Sequence, residues 1–357
     1  MILENKSVLI TGGTGSLGKT LVRRILAGEL GNPRRVTVMS RDEAKQHAMR
    51  ISYLNRKVTT DEVIYSNFQR SLAFRIGDVR NYADVCAALR DADVVFNAAA
   101  LKQVPICEYF PEQALLTNCV GPANLVRALK EHGYPVQSVI GVSTDKACKP
   151  VNVMGMTKAL QERIFTSANV EVPHTRFVCV RYGNVLASRG SVVPLFHDQI
   201  ASGGPVTVTV PEMTRFLLSL NHAVDTVFAA LQEGHPGETY IPRAPAATVM
   251  NLAKALVGDR GIPIQVTGIR PGEKMDEILV SEEECHRTVR RGNFYVILPV
   301  LPELHNKLAA EGKGTTLTKE YSSGDEVEDL QGTIDLLKKH HLMPGEAVLV
   351  EGNELLA

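Results

Sequence analysis

Short apolar runs alternate with longer segments of helical period through the first half of the chain. Ser7–Thr11 predicts a strand and Leu17–Ala27 a helix. Arg35–Ser40 predicts the next strand, with a charged helix over Glu43–Lys57 behind it. Strands over Leu72–Gly77 and Val94–Ala98 bracket a helix over Tyr82–Leu89. A helix over Pro111–His132 leads to a strand over Ser138–Ser143, and a helix over Met154–Ala168 leads to a strand over Arg176–Tyr182. Strands that read as continuous apolar runs, separated by helices, pack as a parallel sheet covered on both faces. The expected architecture is α/β with a doubly wound parallel sheet.

The rhythm breaks after Gly183. Gly203-Gly204-Pro205, Pro211, Pro242 and Pro245 punctuate shorter segments. The pattern predicts a nucleotide-binding half over 1–183 and a smaller mixed lobe over 184–340 that closes over the sheet's C-terminal edge. Lys307–Lys319 reads as a polar loop, Gly332–His341 as a late surface helix and 341–357 as a tail.

Thr11-Gly12-Gly13-Thr14-Gly15-Ser16-Leu17-Gly18 follows the first strand and opens the first helix. In that context it is a Rossmann fingerprint. Gly12 permits the tight turn, Gly15 lets backbone approach a pyrophosphate, and Gly18 lets the helix pack closely. The helix start supplies N–H donors and a positive dipole to the phosphates, which places Thr14, Ser16 and Leu17 in the same site. The second strand ends in Ser40-Arg41-Asp42-Glu43. A hydroxyl and a guanidinium there favour NADP over NAD, and an acidic residue in the ribose position would favour NAD. Asp78-Val79 ends the third strand, where the carboxylate either meets the adenine amino group or caps the next helix. Ala98, Ala99 and Ala100 end the fourth with side chains small enough to leave room for a cofactor.

Lys+Arg and Asp+Glu are both 39, so charge balance points to neither nucleic acid nor an anionic membrane. The 6 Cys form no CxxC pair, which reads as reduced core thiols. The 10 His include no HExxH, so no metal site is expected. Met1–Lys6 is too short and charged for a secretory signal, and no run of about 18 apolar residues offers a membrane span. The expected location is the cytoplasm.

Together these residues resemble the extended short-chain dehydrogenase/reductase superfamily. The likeness tightens at Ala98-Ala99-Ala100-Leu101-Lys102-Gln103-Val104-Pro105, at Ser143-Thr144-Asp145-Lys146-Ala147 and at Arg181-Tyr182-Gly183-Asn184-Val185. Ser188-Arg189-Gly190-Ser191, Met213-Thr214-Arg215-Phe216 and Arg270-Pro271-Gly272-Glu273-Lys274 complete it. The set resembles the UDP-N-acetylglucosamine 4,6-dehydratases of bacterial surface-polysaccharide synthesis, in their short soluble form, from about residue 5 to about residue 340. That resemblance implies tightly bound NADP, a UDP-sugar substrate and a homo-oligomer, a hexamer among its forms. The short form points towards inversion at C5.

Such an enzyme oxidises C4, eliminates water across C5–C6 and reduces C6. The resemblance implies Asp145 as the acid at the C6 oxygen, Lys146 as the base at C5, and Lys158 as the grip on the nicotinamide ribose. Thr144 offers a hydroxyl beside the C4 oxygen. A lysine base needs a lowered pKa, for which Lys158 and Lys102 are the candidate neighbouring cations. Lys102, Asn184 and Arg189 join the substrate site. Arg215 and Arg270 are candidates for the diphosphate, because guanidinium forks match phosphate oxygens, and Glu273 for the uridine ribose. The superfamily's Tyr-x-x-x-Lys reads Met154-Gly155-Met156-Thr157-Lys158 here, so the usual proton acceptor is replaced by Met154. A nucleotide-sugar epimerase on the same scaffold, which needs no elimination pair, and a non-catalytic NADP-binding sensor are the competing readings.

Overall fold

The computed structural model describes residues 1–54, 62–186, 191–304 and 317–345. The first half runs β1 (Ser7–Thr11), α1 (Ser16–Leu26), β2 (Arg35–Ser40), α2 (Glu43–Leu54), α3 (Glu62–Ser71), β3 (Leu72–Ile76), α4 (Tyr82–Leu89) and β4 (Val94–Asn97). Then come α5 (Val104–Tyr109), α6 (Pro111–Leu115), α7 (Gly121–His132), β5 (Ser138–Val142), α8 (Val153–Glu171) and β6 (Arg176–Val180). The second half runs β7 (Asn184–Val185), α9 (Val192–Ala201), β8 (Val206–Val208), β9 (Thr214–Leu218), α10 (Leu220–Glu233), β10 (Thr239–Pro242), β11 (Ala246–Thr248) and α11 (Val249–Val257). It ends with β12 (Ile264–Val266), β13 (Ile278–Val280), α12 (Glu282–Cys285), β14 (Thr288–Arg291), β15 (Phe294–Ile297), β16 (Tyr321–Ser322), β17 (Val327–Glu328) and a last helix over Leu330–Lys339.

Nine strands form one sheet in the order β14-β15-β10-β6-β5-β4-β1-β2-β3. Pairing from β3 across to β10 is parallel, and β15 and β14 are antiparallel additions. Every residue of β1, β4 and β5 is buried. The two-residue period of a strand explains why both faces are apolar. Val8 and Ile10 pack with Leu21 and Ile25 of α1 on one face, whereas Leu9 packs with Leu125 and Leu129 of α7 on the other.

The sheet does not respect the expected boundary at 183. The strands β10, β15 and β14 rejoin it from the second half, and α10 lies against α1, where Arg24 Nη1 donates to the Asn221 carbonyl at 2.8 Å. Chain order misled here because later strands pair with β6 across a long excursion. The excursion itself is the smaller lobe: a sheet in the order β17-β11-β9-β7, two strand pairs and their own apolar core around Phe196, Leu217 and Leu252.

In the first half two helices went unread in the sequence, α3 and α5, and in the second half α9, α10, α11 and α12. The helix expected over Pro111–His132 is α6 and α7 joined by a π-helical turn over Leu116–Val120. Residues 55–57, most of the expected 307–319 loop and residues 346–357 lie outside the described residues. No described helix is long and apolar enough to cross a membrane.

Candidate active site

One cleft of about 1630 Å³ runs across the C-terminal ends of β1, β2, β4 and β5 and is walled on its far side by the second half. That exceeds the roughly 300–1,000 Å³ of a single small-ligand pocket, and it leaves room for two ligands end to end. The predicted cofactor residues line it, as do Thr144, Lys146, Met154, Asn184, Arg215, Arg270 and Glu273. Asp145 is fully buried just behind this wall. Arg189 lies outside the described residues.

At the fingerprint, Gly12 has φ +69°, and a Cβ there would stand 2.7 Å from Ala98 O and Ala99 N. Only glycine lets the turn come this close to the end of β4. A Cβ on Gly18 would meet Gly13 Cα at 2.4 Å, so α1 packs against its own entry turn. Gly15 is less crowded from within the protein, with one atom at 3.4 Å. The space over it suits an incoming phosphate. The first turn of α1 has no side-chain cap and no acidic residue, so its N–H groups and positive dipole end are left for an anion.

At the end of β2, Arg41 is half-exposed, with Nη1 3.8 Å from Asp78 Oδ2. Asp42 is engaged elsewhere: it accepts from Lys45 N–H at 2.9 Å and pairs with Lys45 Nζ at 2.6 Å. Asp78 is gripped by Arg80, whose Nε donates to it at 2.8 Å. Burial pushes the Asp78 carboxyl up, but Arg80 outweighs it and holds the group below the usual range. Asp78 does not cap the next helix. Asn81 does, accepting from Ala83 N–H at 2.9 Å and Asp84 N–H at 3.2 Å.

The chain leaves β5 into a single 3₁₀ turn over Asp145–Ala147. Thr144 Oγ1 donates to Asp145 Oδ1 at 2.7 Å. Lys146 Nζ donates to Asp145 Oδ1 at 3.1 Å and to Asn184 Oδ1 at 3.2 Å, and lies 3.1 Å from Glu277 Oε1. An ammonium has three protons, and three acceptors surround this one. Burial pulls the Lys146 pKa down, but Asp145 and Glu277 overcome it, so the lysine is held above its ordinary value. This corrects the expectation of a lowered pKa. The cations that act against Lys146 are Arg215 and Lys274.

One turn after Met154, Lys158 is buried, and its Nζ donates to Val142 O at 2.7 Å and Gln161 Oε1 at 2.8 Å. Burial brings its pKa down to about 8. Met154 packs with Cys107 and Ala114 in a small apolar cluster at the cleft wall. The π turn sets Asn118 to pin the loop after β4: its Oδ1 accepts from Leu101 N–H and its Nδ2 donates to Leu101 O, both at 2.9 Å. Inserted π turns of this kind recur at functional sites.

On the far wall, Arg215 is buried and largely committed. Its Nη1 donates to the carbonyls of Thr214, Lys274 and Met275 at 2.6, 3.1 and 3.2 Å. Arg270 is exposed at the cleft, and its backbone N–H donates to Glu273 Oε2 at 3.2 Å. Lys274 Nζ donates to Cys148 O at 2.6 Å and Asn152 Nδ2 to Gly272 O at 2.9 Å, so the 270–274 segment is tied to the turn that carries Asp145 and Lys146. Behind the turn, Arg181 bridges Glu162 at 2.6 Å and Glu284 at 2.8 Å and donates to Leu279 O at 2.8 Å. Sequence reasoning named neither Glu277 nor this network. Glu277 lies three residues beyond Lys274, and that proximity to a motif was the one available signal.

A family model described as "Polysaccharide biosynthesis protein" matches residues 8–299. A protein of Rickettsia bellii (strain OSU 85-389) named UDP-glucose 4-epimerase is 41% identical over 349 residues, covering 94% of this chain and 98% of its own. The protein of the same name from Rickettsia conorii (strain ATCC VR-613 / Malish 7) is also 41% identical, with the same coverage. Among solved structures, Pen from Bacillus thuringiensis aligns at TM-score 0.84 and 32% identity, covering 96% of this chain and 100% of that one. A dTDP-glucose 4,6-dehydratase from Streptomyces venezuelae, solved with NAD and TYD, aligns at TM-score 0.63 and 20% identity over 75% of this chain and 86% of that one, a likeness of fold.

Proposed function

We propose that this chain, which belongs to the polysaccharide biosynthesis protein family, is a nucleotide-sugar 4,6-dehydratase that takes UDP-N-acetylglucosamine. The observation that carries the reading is the Asp145–Lys146 pair at the end of β5, with an amine on the cleft wall and a carboxylate buried just behind it, 3.1 Å apart. Elimination of water across C5–C6 needs an acid and a base side by side. Epimerisation at C4 does not.

A bound nicotinamide dinucleotide, with its pyrophosphate over the fingerprint, would supply the redox chemistry, hydride taken from C4 and given back at C6. NADP suits the site because Arg41 faces the cleft at the end of β2 while Asp42 is tied to Lys45. The chain's residues handle protons. Asp145 Oδ2, buried without a hydrogen-bond partner, takes the C4 hydroxyl proton and passes it to the departing C6 oxygen. Lys146 acts at C5 in its neutral form, having first released its own proton to solvent: it takes the C5 proton and returns one to C5, and because Asp145 and Glu277 favour the ammonium the active form grows with pH. The balance is one water lost and no net redox change. Lys158 would hold the nicotinamide ribose, Thr144 the C4 oxygen, Arg270 the diphosphate and Glu273 the uridine ribose. Arg215 orders the far wall and adds positive charge near the diphosphate.

A second reading, UDP-sugar 4-epimerase, is favoured by the name of the Rickettsia relatives at 41% identity. Purified protein with UDP-N-acetylglucosamine separates the two by product mass and NMR. The proposal expects loss of one water with no accumulation of reduced cofactor. A product of unchanged mass inverted at C4 overturns it in favour of epimerisation.

The partner of the exposed apolar face on α5, α6 and α8 is proposed to be a second copy of this chain. Ile106, Tyr109, Phe110, Leu115, Met156 and Leu160 are exposed on or beside these three packed helices, and exposed apolar side chains gathered on one face mark protein contacts. A monomer by sedimentation would exclude it.

A further inference from the structure

Glu277 sits just before β13 at the cleft wall and is almost fully buried. Its Oε1 lies 3.1 Å from Lys146 Nζ and 3.8 Å from Arg215 Nε. Its Oε2 is buried with no hydrogen-bond partner among the described residues. A buried carboxylate oxygen left unpaired is destabilising, so a purely structural role is a poor account of it. The far side of Lys146 has the same form: Asp145 gives Oδ1 to the lysine and keeps Oδ2 buried and unpartnered. One ammonium is thus suspended between two carboxylates, one from each half of the molecule, with Asn184 Oδ1 as the third acceptor.

We infer that Glu277 is a positioning residue for Lys146: from the opposite wall of the cleft it fixes where the lysine Nζ points and whether it carries its proton. The inference rests on the reading of Lys146 as the C5 base. Asp145 lies beside the lysine in the chain, but Glu277 arrives from the segment that follows 270–274. Whatever moves that segment moves one of the three acceptors. Lys274 Nζ ties the same segment to Cys148 O, so the grip on Lys146 and the order of the 270–274 segment are mechanically linked.

The charged groups facing Lys146 are Asp145 from its own turn, Arg215 from β9, and Glu277 and Lys274 from the segment before β13. Asp145 and Glu277 favour the ammonium, whereas Arg215 and burial oppose it. Removing the Glu277 charge alone leaves one carboxylate against the Arg215 guanidinium, the Lys274 ammonium and burial. The lysine then gives up its proton at lower pH.

The test is a titration of the cofactor-loaded enzyme carrying lysine labelled with ¹³C at Cε, with Lys146→Arg used to assign the signal. In Glu277→Gln, which preserves size and an acceptor oxygen, the Lys146 midpoint is expected to fall by about 1–3 pH units. The rise with pH in C5 deuterium exchange should move with it, in the same direction and by the same interval. A midpoint equal to wild type in a variant with wild-type Tm overturns the inference. Should Glu277→Gln yield no folded protein, Glu277→Asp shortens the arm by one methylene and keeps the charge. A lowered midpoint there supports the inference and an unmoved one overturns it. The titration reads Lys146 without reference to product. If the wild type epimerises instead of dehydrating, the proposed function fails while a shifted midpoint still stands.

Discussion

Thr144 Oγ1 donates to Asp145 Oδ1 at 2.7 Å, which leaves the other oxygen of that carboxylate buried and unpartnered. The hydroxyl fixes the rotation of the carboxylate and leaves Oδ2 as a side-chain acceptor with no hydrogen-bond partner among the described residues. An isosteric amide cannot take a proton and hand it on. Asp145→Asn is therefore expected to lose about 10²–10⁴ in turnover, the usual worth of one acid–base group, with NADP affinity unchanged. Single-turnover reduction of bound NADP and release of water both read it. Near-wild-type turnover would remove Asp145 from the proton path.

The first half of the fold was legible because its strands are apolar on both faces and its glycines sit at the required turn. Ser7–Thr11, Arg35–Ser40 and Tyr82–Leu89 have the boundaries that the pattern predicts. The second half was not. Strands β10 and β15 are short and lie in the stretch where the pattern breaks, and nothing local says that they pair with β6 and with each other at the edge of the first sheet. The site divides the same way. Asp145 and Lys146 are adjacent in the chain, whereas Glu277 reaches Lys146 only through tertiary packing. The lysine's charge was misjudged for that reason: burial is predictable from an apolar context, but a second carboxylate 131 positions away is not.

Arg41 is half-exposed beside Asp78 and has no closer ion pair among the described residues. A 2′-phosphate would give it one. Charge-assisted bonds contribute about 1.5–3 kcal/mol, so Arg41→Ala should weaken NADP binding about ten- to hundredfold. NAD affinity should stay the same, and calorimetry on stripped enzyme measures both. Equal loss for the two cofactors would place Arg41 away from the 2′ position.

Glu284 is mostly buried against Arg181. Burial pushes its carboxyl up, but the guanidinium prevails and brings it from 4.5 down to about 2. A depressed carboxylate pKa means that the unfolded chain binds the proton first. Its contribution to stability is therefore complete above about pH 4.5 and lost as the pH falls towards 2. At about 1.4 kcal/mol per unit the loss is on the order of 3 kcal/mol. Urea midpoints between pH 7 and pH 3 should fall less steeply in Glu284→Gln than in wild type, from a lower starting value. Parallel curves would show that the pair does not govern acid stability.

Met154 occupies the position where the superfamily pattern has tyrosine, and its thioether accepts a proton poorly. The structure packs it at 4% exposure against Cys107 and Ala114, one turn before Lys158. An apolar side chain there keeps water from the buried Lys158, whose two hydrogen bonds go to Val142 O and Gln161 Oε1. The proton acceptor for C4 oxidation has to come from elsewhere. Lys146 is assigned to the C5 proton, and Asp145 Oδ2 has no hydrogen-bond partner among the described residues. Met154→Ala should therefore slow hydride transfer by no more than about tenfold, a barrier change of about 1.4 kcal/mol. Its cost should appear as stability instead, because a buried methionine cut to alanine typically loses about 2–5 kcal/mol. Asp145→Asn, measured in the same single-turnover experiment, should lose hydride transfer far more severely. If Met154→Ala stops hydride transfer while its fold and bound cofactor remain intact, the assignment of that proton to Asp145 is wrong.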